Sequence, residues 1–250
     1  MRIMSFNLLC YGNGMRDWHF RRKLAVEVIK KTAPDSLGVQ EAHQGWINAL
    51  SAGLEEYAFV GVGREDGKCD GEYSAVFYLK DKYELVESDT FWLSETPDKP
   101  SKGWDGACTR ICTWAKLKDK SSGKIYVHIN THLDHVGPVA QAEGAKLIRD
   151  KAASFNGIPV VCTGDFNVLE GSKCYDIVCS ANLADSKKLA PDTMSCGTYH
   201  GFQPEKILDI IDFIFVDEKT VKPLKYEVLN YKIGDKFYSD HYAVCADLEI

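Results

Sequence analysis

The sequence predicts an α/β fold, and three observations support this prediction. Short apolar runs rich in β-branched residues recur along the chain, among them residues 2–9, 36–41 and 158–164, as expected of buried strands. A helical pattern of apolar residues separates the first two runs, between residues 18 and 31. A strand, a helix and a second strand in this order form a β-helix-β unit, in which the strands are expected to be parallel.

Composition favours a single globular domain covering residues 1–250. Hydrophobic residues make up 45% of the chain and charged residues 26%, which is enough apolar surface for a large core. No linker, repeat or low-complexity tract divides the sequence. The net charge of -6 argues against a protein that coats nucleic acid through a broad basic face. A nuclease with a metal-filled cleft stays possible, because bound cations dominate the local field there.

The cysteines and the start of the chain predict a cytoplasmic protein. The nine cysteines include no pair with the C-x-x-C spacing of a zinc site, and several lie in apolar runs. Buried free thiols are typical of a reducing compartment. No apolar stretch approaches the ~18 residues that cross a bilayer. The sequence begins with a strand-like run and no signal peptide, although a leader removed beforehand would indicate secretion or a periplasmic location.

The first strand and the second strand each end in a polar side chain. The first apolar run ends near Asn7, and Glu41 closes the second. In parallel strands these side chains share one edge of the sheet, where ligand sites gather. Carboxylate and amide oxygens suit Mg²⁺. A solvated Glu41 with no metal is the alternative.

Three short β-prone runs follow, at residues 57–61, 73–78 and 112–117. Residues 91–104 read as a long loop with aromatic side chains, and such loops are often functional. Arg110 precedes the third run and can hold a phosphate bidentately. A surface salt bridge is the alternative role for this arginine.

A further strand at residues 125–130 leads to His132, Asp134 and His135, and a helix is predicted over residues 138–155. His132 is expected to face a phosphate, whereas His135 is assigned to structure or to the rim of a site. Zinc binding by the three side chains together is disfavoured, because they would not converge on one ion from an extended turn.

The apolar run at residues 158–164 is followed by Asp165 and Asn167, two residues apart. In a turn beyond a strand end, both side chains point into the same cleft. A carboxylate can orient or deprotonate water, and a carboxamide can donate to an anionic oxygen. Alternatively, Asp and Asn serve here only as common turn formers.

The chain is predicted to close with two strands, over residues 207–216 and 242–248. Asp212 interrupts the first of these apolar runs and is costly to bury unless it is paired. His241 precedes the second run. A hydrogen bond between the two would offset the burial cost and fix the imidazole tautomer.

Six motifs in order resemble those of the endonuclease/exonuclease/phosphatase superfamily, and the resemblance covers essentially the whole chain. They are Asn7, Gln40-Glu41, Asn130-Thr131-His132, Gly164-Asp165-Phe166-Asn167, Ile211-Asp212-Phe213-Ile214 and Ser239-Asp240-His241. The resemblance implies a four-layer α-β-β-α sandwich, with two mainly antiparallel sheets flanked by helices. It also implies a Mg²⁺-dependent phosphoester hydrolase, with Mn²⁺ as a possible substitute.

The resemblance also implies roles for individual residues. Glu41 is similar to the principal metal ligand, with Asn7 and Asp240 beside it. Asp165 resembles the group that activates water, and Asn167 a phosphate donor. The implied pair at the scissile phosphate is His241 with Asp212, and further phosphate contacts come from His132 and Arg110. Glu72 matches weakly the glutamate that orients the equivalent of His132 in the pancreatic-deoxyribonuclease branch.

Three functions stay open on the sequence alone. The first is a nuclease acting on single-stranded or short nucleic acid, similar to the carbon-catabolite-repressor-type deadenylases. The second is a phosphatase or phosphodiesterase of a small phosphorylated sugar, inositol or lipid headgroup. The third is a catalytically inactive binding module. Trp92, Trp104, Tyr199 and Phe202 could stack on bases or a sugar, or could pack the loops onto the fold. No obligate protein partner is indicated.

Overall fold

The computed structural model describes residues 1–206 and 209–250, and in these residues thirteen strands and five α-helices are found. The strands are β1 (Arg2–Asn7), β2 (Ser36–Gln40), β3 (Tyr57–Val60), β4 (Val76–Leu79), β5 (Tyr83–Trp92), β6 (Ile111–Asp119), β7 (Ile125–His132), β8 (Val160–Asp165), β9 (Leu183–Asp185), β10 (Asp192–Met194), β11 (Asp212–Asp217), β12 (Lys222–Val228) and β13 (Val244–Glu249). The helices are α1 (Trp18–Thr32), α2 (Gln44–Gly53), α3 (Pro138–Ser154), α4 (Lys173–Val178) and α5 (Ser186–Leu189).

The strands form two mixed sheets. The first sheet has the order β10-β12-β13-β1-β2-β4-β3, and the second has the order β5-β6-β7-β8-β11-β9. Most neighbouring strands are antiparallel, whereas β1 and β2, β7 and β8, and β10 and β12 pair in parallel. The parallel pairs β1–β2 and β7–β8 are central in their sheets. Their carboxyl ends carry the polar motifs.

Two apolar cores give the fold four layers. One core joins α1 and α2 to the first sheet and continues between the two sheets, and the other packs α3 and α4 against the outer face of the second sheet. The predicted four-layer α-β-β-α sandwich is therefore confirmed.

The predicted β-helix-β unit is present as β1, α1 and β2, with parallel strands. The Asp17 side chain caps α1 by accepting a hydrogen bond from the backbone N–H of His19. At the other end of the helix, Ala33 adopts a left-handed conformation just before Pro34, and the helix stops there.

Several predicted boundaries were wrong. The run at residues 73–78 yields only β4, because Tyr73 makes a single bridge to Ala42. Strand β5 extends through Trp92, so this tryptophan lies in a strand and not in the predicted loop. It is buried, and its indole N–H donates to the Arg64 carbonyl at 2.7 Å. Trp92 therefore packs the fold and offers no face for stacking a base.

The carboxyl-terminal half contains more structure than predicted. The strand predicted over residues 207–216 begins only at Asp212 in the structure, as β11. Residues 207 and 208 of this run lie outside the described residues. Strand β12 separates β11 from β13, so the prediction of two closing strands was wrong. Helix α2 and the elements α4, β9, α5 and β10 were also missed. The elements α4, β9, α5 and β10 have only three to six residues each, too few to show a period, and their packing on the sheets fixes them.

Between the sheets lies a row of hydrogen-bonded polar side chains, here called the inter-sheet polar layer: Ser36, Gln40, His128, Asn130 and Thr163. Ser36 Oγ lies 2.8 Å from His128 Nδ1, and His128 Nε2 lies 2.9 Å from Thr163 Oγ1. Gln40 donates to the Asn130 side chain at 2.7 Å. Gly38 of β2 packs directly against this layer. A side chain there would not fit, because an added Cβ would come within 2.2 Å of Asn130 Oδ1.

Two structural features bear on the predicted location, the state of the thiols and the character of the helices. In the described residues all nine cysteines are free, and Cys112, Cys162 and Cys245 are buried. Among the helices of residues 1–206 and 209–250, none has the length and apolarity needed to cross a membrane.

Candidate active site

Four strand ends bring the predicted side chains to one edge of the sandwich. Asn7, His132 and Asp165 are the last residues of β1, β7 and β8, and Asp212 is the first residue of antiparallel β11. Asp165 pairs in register with His132 on one side and with Asp212 on the other. Asp165 and His132 therefore belong to the strands. The prediction that they lie in turns beyond the strand ends was wrong. All four side chains are buried.

Asn7 links two of the carboxylates. Its amide nitrogen donates to Glu41 Oε1 at 3.0 Å and to Asp165 Oδ2 at 2.9 Å. Glu41 follows β2 with a φ of 58°, and its other oxygen accepts from the backbone N–H of Cys10 at 2.8 Å. The Asn7 amide oxygen accepts from the Leu9 N–H at 2.9 Å. In this geometry Asn7 positions the acids, and its predicted role as a metal ligand stays a prediction.

His241 lies between two aspartates. Its Nδ1 is 2.8 Å from Asp212 Oδ2, and its Nε2 is 3.8 Å from Asp165 Oδ2. Burial by itself would lower the pKa of His241, but the charges of Asp212 and Asp165 and the Asp212 hydrogen bond raise it to about 10. The imidazole is therefore protonated at neutral pH. This geometry agrees with the predicted Asp212–His241 pair.

Asp165 has the properties of a base poised near neutrality. Burial, followed by the charge of Asp212, raises the pKa of Asp165 to about 7, while His241 opposes this rise. A general base works best when its pKa lies near the working pH. Its Oδ1 accepts from the backbone N–H of Asn167 at 2.9 Å.

His132 and Asn167 are hydrogen-bonded to each other. Asn167 has a φ of 50°, which brings its amide nitrogen 3.0 Å from His132 Nε2 and 3.0 Å from the Leu133 carbonyl. Burial, with the positive charge of Arg110 next, lowers the pKa of His132 well below its usual range. His132 is therefore a neutral acceptor at Nε2. Both hydrogens of the Asn167 amide are engaged, so a bound phosphate would have to replace one of these bonds.

Arg110 is buried beside the cleft, and among the described residues its polar partners are His135 and Asp134. Its Nη2 is 3.2 Å from His135 Nδ1, and its Nε is 3.8 Å from Asp134 Oδ2. Burial alone would raise the pKa of Asp134, but backbone N–H donors led by Gly137 and Cys108 lower it to about 2. Asp134 accepts these bonds through both oxygens and so orders the segments around Cys108 and Gly137 beside Arg110. His135 is exposed at the rim, as predicted.

The sequence did not single out Arg64 or Arg21. Arg64 lies in the loop between β3 and β4, lines the cleft and pairs with Glu72 Oε2 at 2.6 Å. Glu72 is thus engaged by Arg64 and not by His132, contrary to the weak match. Arg21 of α1 donates to the Leu8 and Leu9 carbonyls and orders the loop after β1. For Arg64, the glycines around it in the sequence were a signal of a loop that approaches the site.

A cavity of about 430 Å³ contains the site and is here called the cleft. Its lining includes Glu41, Arg64, Arg110, His132, Asp165 and His241, with Asn167 and Asp240. Tyr199 forms part of its wall, is 45% exposed and lies over His241 with the ring centroids 5.0 Å apart.

The donor set fits a hard divalent cation. Asp240 is half-buried, and burial raises its pKa; the charge of Glu41 adds to this rise, whereas the charge of His241 opposes it. The buried acids outnumber His241, and a cation would compensate the excess negative charge. Oxygen donors of Asp165 and Asp212 also lie within 4.8 Å of a His241 nitrogen. The Glu41–Asp240 side suits a cation better, because both nitrogens of His241 face carboxylates.

Comparisons with solved structures place the chain among phosphoesterases. A mannosyl-6-phosphatase of Bacteroides thetaiotaomicron VPI-5482 superimposes with a TM-score of 0.95 at 33% identity, and 100% of both chains is covered. An endonuclease/exonuclease/phosphatase from Bacteroides vulgatus gives a TM-score of 0.93 at 40% identity, over 100% of this chain and 98% of the other. The human Nocturnin catalytic domain shares the fold, with a TM-score of 0.78 at 21% identity, over 100% of this chain and 93% of the other.

Sequence comparisons agree. The chain is 22% identical to the CCR4-Not complex 3'-5'-exoribonuclease subunit Ccr4 of Emericella nidulans, over 88% of this chain and 46% of the relative. It thus spans about half the length of that relative. The sequence profile of the Endonuclease/Exonuclease/phosphatase family matches residues 4–241. The chain therefore belongs to the endonuclease/exonuclease/phosphatase family, whose members are hydrolases acting on phosphoesters.

Proposed function

We propose that this chain is a metal-assisted phosphatase of a small phosphorylated sugar. The observation that carries this proposal is the cleft itself, about 430 Å³ in volume and lined by acids, two arginines and one tyrosine. This volume lies at the lower end of the range for small-molecule sites. The exposed face of Tyr199 offers a platform for a sugar ring beside His241.

Glu41 and Asp240 would hold the cation, with Mg²⁺ expected and Mn²⁺ as a substitute. When bound, the cation supplies charge compensation for the phosphate and lowers the pKa of nearby water. Asn7 keeps Glu41 and Asp165 at a fixed separation through its amide nitrogen.

Asp165 takes the proton of the attacking water, as its raised pKa allows. The water oxygen bonds to phosphorus as the bond between phosphorus and the sugar oxygen breaks, and the sugar leaves as an alcohol after its oxygen takes a proton from solvent. The imidazolium of His241, held by Asp212, stabilises negative charge that grows on the phosphate oxygens. Asn167 and Arg110 act as phosphate contacts on the opposite side of Asp165, and His132 positions the Asn167 amide by accepting a hydrogen bond from it at Nε2.

A nuclease is the second candidate, and the likeness to Ccr4 over 88% of the chain favours it. Two observations weigh against it. The chain carries a net charge of -6, and the described structure buries Trp92, one of the four aromatic residues considered for base stacking. The mannosyl-6-phosphatase likeness, at higher identity and with full coverage of both chains, supports the sugar substrate.

A substrate panel tests the proposal. Purified protein is assayed with Mg²⁺ on hexose 6-phosphates, inositol phosphates and labelled single-stranded oligonucleotides, with and without a chelator. We expect hexose 6-phosphates to have the highest kcat/KM, and activity to vanish on chelation and return with Mg²⁺ or Mn²⁺. Preferred cleavage of oligonucleotides would assign the nuclease function instead, and full activity after exhaustive chelation would remove the metal from the account.

Two matched variants accompany the panel. Glu41→Gln should abolish most activity and weaken Mg²⁺ binding measured by calorimetry, while the fold stays intact by circular dichroism. Glu55→Gln changes an exposed glutamate of the α2–β3 connection and serves as the control.

A further inference from the structure

A second cavity, of about 400 Å³, adjoins the cleft and is here called the Tyr11 groove. It is lined by Tyr11, His43, Gln44, Asp70 and, shared with the cleft, Arg64 and Glu72. The Arg64–Glu72 ion pair is thus a common wall between the two cavities. A substrate with its phosphate in the cleft can reach the groove by passing over this wall.

The groove presents one large aromatic face. Tyr11 is 65% exposed, the highest exposure recorded for a large hydrophobic side chain in the described residues. Its ring stacks on His43 with the centroids 5.1 Å apart and the planes at 17°, and Trp18 packs edge-on against the same imidazole at 4.6 Å. An exposed ring supported from behind in this way is preorganised to stack on a ligand.

The Tyr11 loop is also tied to the catalytic residues. The backbone N–H of Cys10 donates to Glu41 Oε2 at 2.8 Å, and Arg21 Nη2 donates to the carbonyls of Leu9 and, at 3.3 Å, Tyr11. These bonds hold Tyr11 at a fixed position relative to the cleft.

Charge decides which chemical group the groove accepts. Arg64 is neutralised by Glu72 at 2.6 Å, so that Asp70 leaves the lining negative. A second phosphate would be repelled there, whereas sugar hydroxyls can donate to these carboxylates and the sugar ring can stack on Tyr11. A neutral, hydroxyl-rich unit therefore fits the groove better than the next nucleotide of a nucleic acid.

We infer that the Tyr11 groove binds a second sugar unit, and that the substrate is a phosphorylated oligosaccharide or glycoside rather than a free sugar phosphate. This inference rests on the proposed function, because it extends the substrate from the same phosphate site. Tyr11 is then a specificity-determining residue, and Asp70 contributes hydrogen bonds to the distal sugar.

The test compares a hexose 6-phosphate with a disaccharide that carries the same 6-phosphorylated hexose. For wild-type protein we expect kcat/KM to be about tenfold higher for the disaccharide, mainly through a lower KM, as one stacking contact would give. Tyr11→Ala should bring the ratio of the two kcat/KM values to about one, and Tyr11→Phe should retain most of the preference. The control is Phe20→Ala, an exposed aromatic of α1 outside the groove, which should keep the wild-type ratio.

The outcomes separate this inference from the proposed function. Failure of both sugar phosphates to react, while oligonucleotides are cleaved, would overturn the proposed function and this inference with it. Hydrolysis of both with a wild-type ratio near one, or a ratio that Tyr11→Ala leaves in place, would overturn this inference alone. A preference for a dinucleotide over a mononucleotide that depends on Tyr11 would also overturn this inference, because the groove would then bind a nucleobase and not a second sugar.

Discussion

Two buried histidines on neighbouring parts of the same sandwich have opposite protonation states. His128 lies in the inter-sheet polar layer between the hydroxyls of Ser36 and Thr163, and burial lowers its pKa to about 3. His241 lies at the sheet edge against Asp212, which outweighs the effect of burial and raises its pKa to about 10. Burial alone thus gives a neutral, structural histidine, and adjacent carboxylates convert a buried histidine into a fixed cation.

The largest effect on kcat is expected for a substitution of Asp165, the acid beside His241. Asp165→Asn keeps the size of the side chain but removes the base, so the chemical step should fall by ~10²–10⁴. Steady-state kcat on the accepted phosphoester measures this loss. Asp185→Asn is the matched control, since Asp185 is also buried but accepts from Tyr175 and Lys187 away from the cleft. The Asp185→Asn control should lower Tm and leave kcat of the folded protein near wild type. If Asp165→Asn gave the same result, Asp165 would have only a structural role.

Next in size is the coupling between Asp212 and His241. Asp212→Asn and His241→Ala should each lower kcat by ~10²–10³, because each removes the fixed positive charge from the phosphate site. The double variant should be little worse than the worse single variant, since both changes remove the same imidazolium. A double-mutant cycle on kcat measures this, and strictly additive losses would show that the two residues act independently.

The pH dependence of stability should show the two histidines with opposite signs. His128 has a folded pKa of about 3, below its usual 6.5, so its contribution is present above pH 6.5 and is lost as pH falls toward 3. His241 has a folded pKa of about 10, so its contribution is present below pH 6.5 and is lost as pH rises toward 10. Each slope is at most about 1.4 kcal/mol per pH unit.

Urea unfolding of metal-free protein across this pH range measures both limbs. His128→Asn should flatten the acid limb and leave the alkaline limb, and His241→Asn should do the reverse. If both variants flattened the same limb, the assignment of one neutral and one charged histidine would be wrong.

The smallest effect is expected at Asn167. Asn167→Ala removes the amide that donates to His132 Nε2 and to the Leu133 carbonyl, and with it the donor that a phosphate would gain by replacing one of these bonds. The value of kcat should fall about tenfold, and KM should change less. A rise in KM with kcat unchanged would assign Asn167 to ground-state binding only.

From the sequence, the polar side chains at the strand ends could be predicted to share one edge of the sheets, but their contacts with one another and the position of Arg64 could not. Strand ends with polar residues gave Asn7, Glu41 and Asp165, because period and composition mark buried strands well. The Glu72–Arg64 pair could not be found in this way, since the loop that brings the two together carries no periodic signal. The inter-sheet polar layer was missed for a similar reason. His128 and Thr163 lie in apolar strands, and only the packing of the two sheets makes them partners.

The most direct test of the account is an NMR titration of the imidazole nitrogens of His128 and His241 in metal-free protein, each assigned by its Asn variant. The account predicts that His241 is a doubly protonated imidazolium at pH 7.5 and loses its proton only near pH 10, while His128 stays a single neutral tautomer down to about pH 4. Titration of His241 near 6.5, or a charged His128 at neutral pH, would contradict it.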